Sequence, residues 1–324
     1  MSFMRKVRKI ALVLLLSARA SLPWGAEGHR VIARIAAKHL SPQAQARVAA
    51  LLAADAQAGP FLRSGAGGDA LASAMAAVAP WADTIKGTKL GAGTDEWHFL
   101  DLASADGAAQ IGERCANHNC VTAQLGILTA NLKAGSNLPN GSNTYSPAEQ
   151  LKFIIHFMGD LHQPLHCATN ADAGGNCLTT HGFSEHELHA TWDTGLINQV
   201  MKDASGHAID EATFAASLDS EFAAQFGGST NVTDFAQMAV ESHDIAFQAA
   251  YGPMLARGIL PGVEPRSYLN VDVSRCASEA PDFYNIHPPV DLTVLYNAAT
   301  LDAVRWQLAK AGYRLAVALN QALQ

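Results

Sequence analysis

Residues 156–166 place three histidines and one aspartate within eleven positions of the chain. His156 and Asp160 are four residues apart, so on a helix they lie on one face and can bind the same metal ion. Pro164 ends such a helix, because the residue before a proline is displaced from the α region. His166 can then turn toward a second ion. The segment therefore predicts metal ligands at and just beyond the end of a helix.

A second pair of side chains with helical spacing, His189 and Asp193, follows later in the chain. Imidazole nitrogens and carboxylate oxygens without cysteine suit zinc at a catalytic site. A His/Asp pair of this spacing also arises by chance on a solvated helix face, and a single histidine is more often a structural residue than a ligand. Two such pairs together with His166 nevertheless favour a site for several metal ions.

Helices are expected to position these ligands. Hydrophobic residues make up 49% and charged residues 16% of the 324 residues, which indicates a globular chain. Alanine is abundant and β-branched runs are scarce, so we predict an all-α, single multi-helix domain with at most a short β-hairpin. Ser146, Pro147 and Glu149 form a capping box that begins the helix of His156. Further helices are predicted over 42–54, 121–133, 185–202, 208–226, 232–250 and 290–322.

Residues 1–23 are predicted to be a signal peptide, followed by one domain over 24–324. Basic residues precede an apolar run over 10–16 that is too short to span a bilayer. We therefore expect a secreted or periplasmic protein without a stable membrane anchor. Removal of 1–23 takes away five basic residues and makes the chain more acidic than its net charge of −7. That charge argues against nucleic-acid binding through a basic patch, but not against an anionic substrate held by metal ions.

Five cysteines follow the predicted signal peptide. Cys115 and Cys120 bracket one short loop, and Cys167 and Cys177 bracket another. Export implies an oxidising compartment, so two small disulfides with Cys276 left over are the favoured pairing. Spacing alone does not fix the connectivity.

The motifs together resemble the zinc-dependent nucleases of the S-one/P-one type, which include fungal nucleases and plant bifunctional nucleases. Their order and spacing match over the whole of residues 24–324. The matching segments are Trp24-Gly25-x-x-Gly28-His29, Trp81-Ala82-Asp83, His98-Phe99-x-Asp101, the 156–166 segment, Gly174-Gly175-Asn176, Leu188-His189-x-x-Trp192-Asp193 and the helix around Lys310–Ala316.

This resemblance implies the phospholipase C/P-one nuclease type of fold, with three zinc ions in one cleft. It also implies three ligand sets: Asp83, His98, His156 and Asp160; the amine and carbonyl of Trp24 with His29 and a bridging Asp160; and His166, His189 and Asp193. Trp24 can offer an amine only if the chain is cleaved after Pro23, although the cleavage site expected of a signal peptide has small residues.

The same resemblance implies roles for residues that bind substrate. Lys86 would stabilise charge on the phosphoryl group, Phe99 would stack on a base, and Asp101 would bond the edge of that base. His162 is not in the ligand sets and is expected to orient the site. A second acid is expected near Asp101, and Asp106 is the candidate that the sequence offers.

The predicted reaction is the cleavage of single-stranded RNA and DNA to 5′-nucleotides by a hydroxide that bridges two zinc ions. Activity on 3′-mononucleotides is also expected, and no obligate protein partner is inferred. Two alternatives stay open: a zinc phospholipase C of the same fold, and an exported zinc-binding protein without catalysis. The base pocket of Phe99 and Asp101 argues against the first, and the lack of a histidine-rich tract argues against the second.

Overall fold

The computed structural model describes residues 24–64, 69–228, 230, 232–260, 271–284 and 286–324. The predicted signal peptide lies outside the described residues. The predicted all-α class is confirmed, because helices carry most of the described chain and strands are confined to two short pairs. Among the described residues, no helix has both the length and the apolar character needed to cross a membrane.

The α-helices of the described chain are α1 Ala26–Lys38, α2 Pro42–Leu52, α3 Gly59–Arg63, α4 Ala70–Val78, α5 Trp81–Thr84, α6 Ile111–Arg114, α7 Val121–Ala134, α8 Pro147–Asp160, α9 Leu188–Ala190, α10 Leu196–Val200, α11 Glu211–Phe226, α12 Phe235–Ile245, α13 Gly252–Leu255, α14 Cys276–Glu279, α15 Pro281–Tyr284 and α16 Ala298–Ala322. Two π-helical turns, Thr191–Gly195 and Ala246–Ala250, extend α9 and α12. Short 3₁₀ turns include Asp95–His98 and Pro164–His166.

Helix α8 lies at the centre of the fold and packs against α1, α2, α5, α7 and α16. Its predicted capping box is present: Ser146 Oγ accepts the Glu149 N–H at 3.3 Å, and Glu149 Oε2 accepts the Ser146 N–H at 2.8 Å. Every side chain over 150–160 is buried, which is expected for a helix surrounded by other helices. His156 and Asp160 are therefore fixed on a rigid, dry element.

The strands form two small pairs. Leu138–Asn140 (β1) and Asn143–Tyr145 (β2) make an antiparallel hairpin. Thr180–His181 (β3) and Val290–Asp291 (β4) pair in parallel. The predicted helix over 290–322 is therefore wrong at its start: the helix begins after Asn297, whose side chain accepts the Ala299 N–H at 2.9 Å.

One of the two favoured disulfides is wrong. Cys115 and Cys120 are bonded as predicted, but Cys177 pairs with Cys276, 99 residues away, and Cys167 is free and buried. The thiol of Cys167 points into the core, 3.5 Å from the carbonyl oxygen of Leu161. Tertiary packing therefore brings α14 to the far end of the loop after His166 and overrides the short separation on which the prediction rested.

Candidate metal centre

Three groups of buried histidine and aspartate side chains lie together in the described chain. Within each group, the potential ligand atoms are all within 4.8 Å of one another. The groups are His29, His156 and Asp160; Asp83, His98 and His156; and His166, His189 and Asp193. All the predicted histidine and aspartate ligands are thus brought together, from α1, α5, the 3₁₀ turn before Phe99, α8, the 3₁₀ turn Pro164–His166 and the helical segment that begins at Leu188.

Asp160 presents one carboxylate oxygen to each of two neighbouring groups. Its Oδ1 is 3.3 Å from His29 Nε2. Its Oδ2 is 2.9 Å from His98 Nδ1 and 3.3 Å from His156 Nε2. The rings of His29 and His156 stack with centroids 3.9 Å apart, so the first two groups lie directly against each other. This arrangement is suited to a carboxylate that bridges two cations.

Asp83 completes the second group from the short helix α5. Its Oδ1 lies 3.5 Å from His156 Nε2 and 3.7 Å from His98 Nδ1. The ammonium of Lys86, one helical turn later and 23% exposed, is 2.7 Å from the same oxygen. The pKa of Asp83 is lowered, because the charges of His156 and Lys86 outweigh the effect of burial. Lys86 therefore places a partly exposed positive charge at the edge of the centre.

In the third group, the side-chain atoms that face one another are all hydrogen-bond acceptors. Nδ1 of His166 lies 2.9 Å from the carbonyl oxygen of His98, and Nδ1 of His189 lies 2.7 Å from that of Gly174. A carbonyl only accepts, so each ring carries its proton on Nδ1 and a lone pair on Nε2. The two Nε2 atoms are 3.2 Å apart. Two buried lone pairs at this distance repel, and a cation between them would relieve the repulsion, so these residues fit a metal ion.

Asp193 adds a carboxylate to this third group from a π-helical turn. Its Oδ2 is 3.3 Å from His189 Nε2 and has no hydrogen-bond partner among the described residues. Its Oδ1 accepts the side-chain amide of Gln163 at 2.6 Å and the N–H of Trp24 at 3.1 Å. One oxygen is thus held by the protein and the other is left for a cation.

The structure shows contacts of Trp24 and Gln163 that the sequence did not predict. Trp24 is fully buried, and its described N–H contact is with Asp193, beside the third group. Gln163 was not among the predicted site residues, although it lies inside the 156–166 segment. Its Oε1 accepts the Leu165 N–H at 2.6 Å, which fixes the amide that holds Asp193. The position of Gln163 between the predicted ligands His156 and His166 was the signal in the sequence that could have identified it.

Burial and charge separate the histidine pKa values. Burial lowers the pKa of His98 to about 4 and that of His166 to about 3, so both rings are neutral at pH 7. Burial acts the same way on His156, but the carboxylates of Asp160 and Asp83 raise its pKa to about 10. Neutral rings are the form that binds metal, and the proton on His156 occupies the position that a cation would take.

The predicted substrate residues lie directly after the 3₁₀ turn that ends at His98. Phe99 is half-buried in extended backbone with φ −147° and ψ 173°. The Leu100 N–H donates to the His166 carbonyl at 2.7 Å, which ties this segment to the ligand region. Asp101 is half-buried, and this burial together with the negative charge of Asp172 raises its pKa to about 7.

Two further predicted residues have partners outside the ligand groups. Asp106 Oδ2 accepts Arg114 Nε at 2.7 Å and the Ala103 N–H at 2.9 Å, so its charge is neutralised there. His162 Nδ1 is 2.8 Å from the Met158 carbonyl oxygen, and Nε2 accepts Arg314 Nη1 at 3.0 Å. His162 therefore connects the end of α8 to α16.

These observations define an all-α protein with a buried centre of histidine and aspartate ligands that suits several cations. The chain belongs to the S1/P1 nuclease family, since residues 24–324 match the family described as S1/P1 Nuclease. It is similar to Nuclease P1 of Penicillium citrinum, with 25% identity over 92% of this chain and 97% of the relative. It is also similar to Nuclease S1 of Aspergillus oryzae, with 30% identity over 67% of this chain and 69% of the relative. Endonuclease 3 of Arabidopsis thaliana is 29% identical over 59% of this chain and 60% of its own length. Family membership supports a nuclease function on nucleic-acid substrates.

Proposed function

We propose that this protein is a zinc-dependent phosphodiesterase that cleaves single-stranded RNA and DNA to 5′-nucleotides and also acts on 3′-mononucleotides. The observation that carries the proposal is the contact between the three ligand groups. Asp160 joins the first two, and its Oδ1 is 3.8 Å from His166 Nδ1 of the third. Three cations bound here would face one phosphodiester together. We assign the three ligand sets as implied by the family resemblance, including Trp24.

When bound, zinc would act as a Lewis acid on the phosphoryl group and lower the pKa of water toward neutrality. The residues of this chain supply position and charge. Asp160 and His156 hold their ligand atoms on one rigid helical turn. Asp193 keeps Oδ1 on Gln163 and turns Oδ2 toward the centre. Lys86 stabilises the negative charge that develops on the phosphoryl oxygens and on the departing 3′ oxygen.

The selectivity for single strands is assigned to Phe99 and Asp101. Phe99 stacks on a base, which is worth roughly 1–3 kcal/mol per base and tolerates any sequence. Asp101 bonds the edge of the same base. A duplex hides base faces and pairing edges, so this pocket selects unpaired nucleotides. The acidic net charge of the protein does not oppose this, because bound cations are the dominant local charges at such a site.

Maturation is part of the proposal. We infer that residues 1–23 are removed on export, which leaves 24–324 as the nuclease domain and the α-amine of Trp24 as a metal ligand. The Trp24 nitrogen already lies in a fully buried position within the centre, although its described contact is with Asp193 of the third group. Disulfides are typical of proteins outside the reducing cytosol, so the two disulfides support a secreted or periplasmic location.

The test combines metal content, N-terminal sequence and substrate choice in protein purified after export. We expect about three zinc ions per chain, a Trp24 start, and cleavage of single-stranded but not double-stranded DNA. Asp160→Asn should lose cleavage together with more than one zinc ion. Full zinc content with hydrolysis of lecithin and none of nucleic acid would favour the phospholipase alternative. Zinc without any hydrolysis would favour the non-catalytic one.

A further inference from the structure

The loop over 167–177 connects His166 to the segment that carries His189. The carboxylate of Asp172 holds this loop together from within. Its Oδ1 accepts the N–H groups of Asn170 at 3.2 Å and Gly175 at 3.0 Å, and the hydroxyl of Tyr251 at 2.9 Å. Asp172 and Tyr251 are both fully buried. The conformation of the loop is therefore set by a buried acceptor with three donors.

The same loop contacts the metal centre through its backbone. The Gly174 carbonyl lies 2.7 Å from His189 Nδ1, and the Gly175 carbonyl accepts the His189 N–H at 3.3 Å. Both glycines have positive φ, +61° and +86°. A Cβ on Gly174 would lie 2.7 Å from the Leu165 carbonyl oxygen, so no side chain fits between the loop and the 3₁₀ turn of His166. A shift of the loop would thus be transmitted to the His189 ring.

Tyr251 anchors this loop from an element that carries no predicted ligand. It directly follows the π-helical turn Ala246–Ala250, and its N–H donates to the Ala246 carbonyl at 2.9 Å. Its hydroxyl donates a hydrogen bond to Asp172, which lies 79 residues earlier in the chain. The contact therefore ties the ligand loop to a helical region that contributes no ligand and that also packs against the 3₁₀ turn of His166.

We propose that Asp172 and Tyr251 are positioning residues for His189. Through the Gly174–Gly175 turn they hold the carbonyl that keeps the His189 proton on Nδ1, and so direct the Nε2 lone pair toward His166 and Asp193. The proposal rests on the proposed function, because the ion bound by these three residues is what the orientation serves. It adds to that function two residues that touch neither substrate nor metal.

The test is Tyr251→Phe, which removes one hydroxyl and conserves the volume of the side chain. The matched control is Tyr145→Phe, because Tyr145 is equally buried and donates one hydrogen bond of 2.8 Å, to the Leu90 carbonyl, far along the chain from the 167–177 loop. Two readouts are compared in both variants. Long-range ¹H–¹⁵N spectra of histidine-labelled, metal-free protein report the tautomer of His189. A chelator competition, calibrated against His189→Ala, reports the affinity of the zinc ion held by His166, His189 and Asp193.

We expect Tyr251→Phe to lose the pure Nδ1–H tautomer and to bind that ion about 10- to 100-fold more weakly, the range found when a partner of a metal ligand is removed. Tyr145→Phe should match the wild type in both readouts. Asp172→Asn keeps an oxygen for the three donors, so it should lie closer to the wild type than Asp172→Ala does. This order separates positioning from an effect of the Asp172 charge.

An unchanged tautomer or an unchanged zinc affinity in Tyr251→Phe would overturn the inference. So would equal effects of Tyr251→Phe and Tyr145→Phe, or of Asp172→Asn and Asp172→Ala. The proposed function fails by a different result: His189→Ala would then leave the zinc content at its wild-type value. In that case the metal-free tautomer spectra still decide whether Asp172 and Tyr251 orient the ring.

Discussion

At the scale of single residues, four ligands of the centre are each oriented by a carbonyl or an amide that would not itself bind a cation. His156 places its Nδ1 2.8 Å from the Ala79 carbonyl, and the other oriented rings also use backbone carbonyls. Each such bond fixes the tautomer and leaves Nε2 for a cation. Asp193 is oriented in the same way by the amide of Gln163.

Lys86→Ala tests the role of the charge beside Asp83. We expect kcat on single-stranded DNA to fall by about 10²- to 10³-fold with zinc content unchanged, as for the loss of one transition-state donor. Lys89→Ala is the control, because Lys89 is an exposed lysine three residues later in the chain. Steady-state kinetics and metal analysis give the answer. Equal rates for the two variants would remove Lys86 from the mechanism.

The raised pKa of Asp101, about 7, predicts a pH-dependent base pocket. Below that pH the carboxyl is protonated and can donate to a base edge, whereas above it the carboxylate only accepts. Asp172 is negatively charged when ionised and disfavours ionised Asp101, so Asp172→Asn should shift the midpoint to lower pH. We expect the Kd of a 5′-mononucleotide, followed from pH 5 to 9, to show this shift. Asp302→Asn, which removes an exposed carboxylate on α16, should leave the midpoint in place.

At the scale of elements, local signals predicted α8 well, because the helix starts at a capping box and ends before Pro164. The segment after Leu188 was predicted as a regular helix, and its π-helical turn was not foreseen. A π turn depends on the packing of the whole segment and has no local sequence signature as clear as a cap. The position of the hairpin over 138–145 is likewise not marked by the sequence, since its strands have only three residues each.

Ser146→Ala tests the capping box of α8. Loss of the bond from the Glu149 N–H to the Ser146 hydroxyl should lower the free energy of unfolding by about 1 kcal/mol, with zinc content unchanged. Urea denaturation of the metal-loaded protein measures the change. Ser220→Ala is the control, because Ser220 lies on the exposed face of α11 and bonds only the carbonyl one turn back. An equal decrease in the free energy of unfolding in both variants would show that the capping box stabilises the protein no more than an exposed serine hydrogen bond does.

At the scale of the whole molecule, contacts distant in sequence were beyond prediction. The Cys177–Cys276 bond joins residues 99 apart, and the Tyr251–Asp172 contact spans 79. Neither has a spacing or a periodicity that marks it. The helical spacing of its His/Asp pairs marked part of the centre, and the family resemblance added His29, Asp83 and His98. The supports of the centre use common residues that are placed only by folding.

The two disulfides should differ in their effect on stability. In the chain-entropy description, a bond that closes about 100 residues stabilises by about 4–5 kcal/mol, whereas one that closes five contributes roughly 2 kcal/mol. We therefore expect Cys177→Ser/Cys276→Ser to lower the free energy of unfolding more than Cys115→Ser/Cys120→Ser. Urea denaturation compares the two pairs.

A companion measurement checks the pairing itself. Alkylation in denaturant without reductant should label Cys167 and no other cysteine, because Cys167 is the free thiol among the five. Label on Cys276 would instead support the pairing that the sequence favoured.

The first two groups share ligands and the third group does not, so the three metal positions are not equivalent. His156 belongs to two of the groups and Asp160 faces both, whereas His166, His189 and Asp193 are used once. In the proposed centre we expect the first two positions to fill cooperatively, because the two ions would share Asp160. Substitution of a ligand in the third group would then remove one ion and leave the other two, whereas substitution of Asp160 would remove both ions that share it. We therefore expect metal binding at the centre to tolerate substitutions in the third group better than substitution of Asp160.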